Sequence, residues 1–72
     1  MSDIRKRSIT LSGHRTSYSV EDRFQEILNE MAAGLGIPLA TLVAQIDATR
    51  GNRTNLSSAI RIAVLDHLQK RT

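Results

Sequence analysis

The sequence contains no cysteine, so neither a disulfide framework nor a thiolate site can form. It has no tryptophan, one tyrosine and one phenylalanine, too few to line a large ligand pocket or build a base-stacking platform. The two histidines, His14 and His67, stand far apart, with no ligand spacing around them that would suit a metal. No GxGxxG, P-loop or HExxH motif occurs. Nothing therefore points to catalysis, a cofactor or a small-molecule substrate. The longest apolar run is four residues, Ile62 to Leu65, shorter than a transmembrane span or a signal-peptide core. The expectation is a cytoplasmic chain with no membrane partner.

What is present is small and basic. Seventy-two residues make one domain. A monomer of this size buries little surface and gains from disulfides, metal or association. Association is the remedy left, and a homodimer is the default. Eight arginines and two lysines outweigh seven acids, for a net charge of +3. Arginine favours bidentate recognition of phosphates and base edges. Arg5, Lys6, Arg7 and Arg15 crowd the first twenty residues, whereas Glu21, Asp22, Glu26 and Glu30 follow within ten. Residues 1–6 read as a flexible basic arm, and residues 7–72 as the domain.

The chain is organised around Arg15-Thr16-Ser17-Tyr18-Ser19-Val20. Side chains alternate along a strand. Thr16, Tyr18 and Val20 thus share a face that wants cover, and Arg15, Ser17 and Ser19 share a polar one. A lone strand needs a partner. The partner comes from the preceding residues, from a second copy, or from both. Ile9 and Leu11 alternate with Ser8 and Thr10, and Ser12-Gly13 is a turn signal. A hairpin or an extended arm would both fit.

Three helices follow. The first begins near Val20 with Ser19 as its cap, carries Phe24, Ile27, Leu28, Met31 and Leu35 at helical spacing, and ends at Gly36 as C′ residue. The second opens on Pro38 and closes at Gly51. The third starts after Asn55, a candidate cap. It is apolar over much of its circumference, through Leu56, Ile60, Val64, Ile62, Leu65 and Leu68, which suggests burial on more than one side and a dimer core. A strand pair that exposes Arg15, Ser17 and Ser19 would suit the major groove of B-DNA.

With RTSYSV before EDRFQEILNEMAAGLG, then IPLATLVAQI and NLSSAIRIAVLDHL, the chain resembles the ribbon-helix-helix family over residues 6–68. Lys6 to Thr10, Gly13 to Ser17 and Asn55 to Arg61 match a small bacterial subgroup. The resemblance implies a mainly α fold with a short β-ribbon, here with an additional C-terminal helix, in an intertwined homodimer. It implies sequence-specific double-stranded DNA binding and transcriptional regulation, with Arg15, Ser17 and Ser19 facing bases. The DNA backbone would be met by Arg5, Lys6, Arg7 and by the helix N-terminus at Leu39 and Ala40. TRGNRTN breaks what is one long helix in the family, so residues 38–49 and 55–70 both offer a phosphate-clamping terminus. The alternative is a non-enzymatic adaptor with the same dimeric fold that does not read DNA.

Overall fold

A computed structural model describes residues 4–51 and 55–71. Two antiparallel strands, β1 (Ile4–Leu11) and β2 (His14–Glu21), precede α1 (Asp22–Leu35), α2 (Leu39–Thr49) and α3 (Leu56–Arg71). The strands form a hairpin in a single register, from Ile4 opposite Glu21 to Leu11 opposite His14. Its two-residue turn has φ of 52° at Ser12 and 81° at Gly13. Positive φ at both positions is the type I′ geometry, whose twist matches that of the flanking strands. The partner of residues 15–20 therefore comes from the preceding residues of the same chain.

Residues 1–6, expected as a flexible arm, include the start of β1 at Ile4. Ile4, Arg5 and Lys6 lie in β1 opposite Glu21, Val20 and Ser19, because β2 runs on to give them a partner. Residues 1–3 lie outside the described residues. The first helix also starts later than its composition suggests. Ser19 and Val20 remain in the strand, and Glu21 holds the cap position without a side-chain cap hydrogen bond.

One face of the ribbon is covered by the helices. Leu11, Tyr18 and Val20 are buried and join Leu28, Ala32, Leu42, Val43, Ile46, Leu56, Ala59, Ile60 and Val64 in a single core. Leu28, Ile60, Val20, Val43 and Val64 are fully enclosed, each worth about 1.5–3 kcal/mol by transfer from water. α1 ends as expected. Gly36 has φ of 70°, its N–H donates to Ala33 O, and the Ile37 N–H donates to Ala32 O, a Schellman closure. The Pro38 carbonyl accepts from Thr41 and Leu42 N–H to start α2. Pro38 itself sits just before the helix, and α2 stops at Thr49 because Arg50 is extended. Asn55 caps α3, its Oδ1 accepting the Ser58 N–H at 2.8 Å. Among the described residues no single helix is long and apolar enough to cross a membrane, and no group of metal-ligating side chains is present.

Candidate nucleic-acid interface

Strand parity and register decide which ribbon side chains face away from the core. Val20, Tyr18, Thr16 and His14 stand opposite Arg5, Arg7, Ile9 and Leu11. These pairs share the face on which Tyr18, Val20 and Leu11 are buried, since paired residues lie on one side of a sheet. The outer face therefore carries Lys6, Ser8 and Thr10 from β1 opposite Ser19, Ser17 and Arg15 from β2.

Two cations sit on this outer face. Lys6 and Arg15 are exposed, and among the described residues neither makes an ion pair or side-chain hydrogen bond. They lie near opposite ends of the ribbon, about 13 Å apart along the strand direction at 3.3 Å per residue. Between them stand the hydroxyls of Ser8, Thr10, Ser17 and Ser19. The expected base-facing residues Arg15, Ser17 and Ser19 are thus brought together with Lys6. Ser8 and Thr10 complete the face. Their alternation with Ile9 and Leu11 was the sequence signal for them.

Arg5 and Arg7 belong to the opposite face of the ribbon, and of the two only Arg7 turns inward. The Arg7 guanidinium donates from Nε to Gln25 Oε1 at 2.9 Å and pairs with Asp22 at 3.2 Å. Gln25 Oε1 also accepts the Tyr18 hydroxyl at 2.7 Å, and Gln25 Nε2 donates to Asn29. Burial pushes the Tyr18 phenol above its ordinary value, against the opposing pull of Gln25 and Arg7. Arg5 reaches the same Asp22 at 3.3 Å but is largely exposed, so that pair is weak. Gln25 would suit the polar side of α1 on composition. It is buried because Tyr18 and Arg7 bring hydrogen-bonding groups to it.

The end of β2 is fastened to α3. The Ser19 N–H donates to Ser57 Oγ at 2.9 Å, and the Ser19 carbonyl accepts from Arg61 at 3.3 Å. Arg61 also binds Glu21 at 3.1 Å and lies 5.9 Å from the Phe24 ring centroid. The Glu21 carboxyl is held below its ordinary value, first by a backbone hydrogen bond and further by Arg61.

The two candidate phosphate-clamping termini differ. At α2 the N–H groups of Leu39 and Ala40 precede the first intrahelical bond, and no side chain caps them. At α3 Asn55 already fills the cap. Unfilled N–H groups at a helix start favour an anion, so α2 is the better placed of the two. Leu39 is half-buried in the core and Ala40 is exposed.

Comparison with known proteins finds no matching curated protein and no matching solved structure. Residues 4–68 match the family model of the ribbon-helix-helix domain.

Proposed function

The chain belongs to the ribbon-helix-helix domain family, whose members generally bind DNA and regulate transcription without catalysis, and on that premise we propose that it is a homodimeric, sequence-specific double-stranded DNA-binding regulator. The observation that carries this reading is the outer ribbon face, where Lys6 and Arg15, with no ion-pair partner among the described residues, flank four hydroxyls. A two-stranded ribbon fits the major groove, roughly 12 Å wide, where every base pair presents its own donor and acceptor pattern. Arg15 would read guanine O6 and N7, and Ser17 and Ser19 would donate to or accept from neighbouring edges. Lys6, with Arg5 at the rim, would meet phosphates. The leading N–H groups of α2 at Leu39 and Ala40 would hold a further phosphate. Arg7 is held by Gln25 and Asp22 and supports the ribbon from behind.

The test is selection of bound duplex fragments from a genomic pool, followed by a salt titration. Affinity should fall with a log–log slope of about 0.9 per phosphate neutralised. Arg15→Ala should cost about 1–3 kcal/mol on the selected site while leaving non-specific binding nearly unchanged. Lys6→Ala should weaken binding to all sequences alike. No duplex retained at low salt would overturn the reading in favour of a protein adaptor.

A further inference from the structure

We infer, on the DNA-binding reading above, that Arg61 of α3 is a positioning residue for base recognition: it fixes the end of β2 and so sets where the Ser19 hydroxyl stands on the outer ribbon face.

The proposed base readers are not held alike. Arg15 lies close to the two-residue turn, whose geometry anchors that end of the hairpin. Its guanidinium stands on three methylenes and can re-aim itself through its rotamers. Ser19 lies at the other end, where β2 gives way to α1 and no side chain caps the helix start. Its hydroxyl is one bond from Cβ, so it goes where the backbone goes. A recognition group works only when its supporting residues hold it to within about 0.5 Å.

α3 supplies that support. Ser57 and Arg61 stand one helical turn apart and share a face. Ser57 Oγ accepts the Ser19 N–H at 2.9 Å, and Arg61 Nη2 donates to the Ser19 carbonyl at 3.3 Å. Both backbone polar groups of Ser19 are therefore bound from α3. Arg61 Nε also donates to Glu21 Oε1 at 3.1 Å, and the guanidinium lies over the Phe24 ring, 5.9 Å from its centroid. One planar group thus ties the end of β2, the cap position of α1 and its first turn to α3. Lysine, a point charge without the fork, cannot address a carbonyl and a carboxylate in these directions while stacking on a ring.

These contacts are not what keeps the chain folded. The Arg61 and Glu21 side chains are 33% and 36% exposed, and ion pairs so open to water contribute little to stability. Val20 and Ile60, next in sequence to Ser19 and Arg61, are fully buried and anchor β2 and α3 through apolar burial. The Nε and Nη2 donors of Arg61 are spent on protein groups, so its part in recognition runs through Ser19.

Arg61→Lys keeps the charge and removes the fork. Two measurements on the full chain test the role. Without DNA, amide hydrogen exchange followed by NMR should quicken at Ser19 by about 2- to 12-fold, the worth of one net hydrogen bond, with Leu28 and Val43 unchanged as the check on the fold. With DNA, each base pair of the duplex selected by the wild type is substituted in turn, and binding is measured for the wild type, Ser19→Ala, Arg61→Lys and the double variant. Arg61→Lys should relax discrimination at the base pairs that Ser19→Ala relaxes and leave those that Arg15→Ala relaxes. Its affinity for random duplex should stay within about twofold, because the charge is kept. The double variant should be no worse than Ser19→Ala alone, since the two residues act as one unit. A merely structural role would weaken every position alike. Unchanged exchange at Ser19, additive losses in the double variant, or relaxation at the Arg15 base pairs overturns the inference. A wild-type chain that retains no duplex overturns the DNA-binding reading and this role with it, whatever the exchange at Ser19 shows.

Discussion

The Tyr18–Gln25–Arg7 cluster allows a prediction whose size follows from who is left unpaired. Tyr18→Phe removes one donor to Gln25 Oε1, but Arg7 Nε still donates to that oxygen at 2.9 Å. No buried group is orphaned, so the cost is that of one net hydrogen bond, about 0.5–1.5 kcal/mol. Gln25→Leu is different. It leaves the buried Tyr18 hydroxyl without an acceptor, at about 1–3 kcal/mol, and removes partners from Arg7 and Asn29 as well. The double variant no longer contains the phenol that Gln25→Leu stranded. Its cost should fall short of the sum of the singles by about 1 kcal/mol, within the range found for residues in contact. The measurement is a set of urea transitions at one fixed protein concentration, because association adds to apparent stability, with midpoints compared at unchanged slope. Additivity within about 0.3 kcal/mol, or a larger loss from Tyr18→Phe than from Gln25→Leu, would refute the reasoning.

Two further predictions concern the ribbon. Ser12 holds φ of 52° in the type I′ turn, where asparagine is better tolerated; Ser12→Asn should raise the urea midpoint by the equivalent of roughly 0.5 kcal/mol, and a lowered midpoint would contradict the turn assignment. The Tyr18 phenol is raised by burial, so its contribution is complete below the ordinary phenol value and is lost as pH rises through the higher folded-state value. Urea midpoints measured from about pH 9 to pH 11, around the ordinary phenol value, should fall in the wild type and fall less in Tyr18→Phe.

Much of this fold is legible where the signal is local. The Ser12-Gly13 turn, the Asn55 cap and the Gly36 closure each depend on one or two residues whose side chain, or lack of one, dictates the backbone. The inward set Thr16, Tyr18 and Val20 follows from parity alone. The start of α1 was not legible in the same way. Ser19, Glu21 and Asp22 suit a helix start, but β1 extends back to Ile4 and gives Ser19 and Val20 strand partners, and α3 supplies the Ser57 hydroxyl from thirty-eight residues away. Long-range partners override local propensity there. Arg7 shows a signal that charge counting hides. It shares parity with Ile9 and Leu11, so its side chain belongs to the inner face, where Asp22 and Gln25 wait for it. The breadth of apolar surface on α3 was evident in the sequence, where it suggested a dimer core; which side the single chain leaves uncovered, that of Ile62, Leu65 and Leu68, depends on how α1 and α2 pack against it.

The strict alternation of the hairpin also bears on how such a protein can change over generations. Substitutions that would unfold it fall on odd positions of β1 and even positions of β2, with Leu11, Tyr18 and Val20 in the core. Lys6, Ser8, Thr10, Arg15 and Ser17 occupy the complementary positions and bury nothing in the core. Replacements at such surface sites usually move stability by less than about 0.5 kcal/mol. On the function proposed above for the outer face, contact preference and foldedness are inherited on separate sets of residues. The outer face can drift toward a new target one side chain at a time, with no intermediate that must first survive a damaged core.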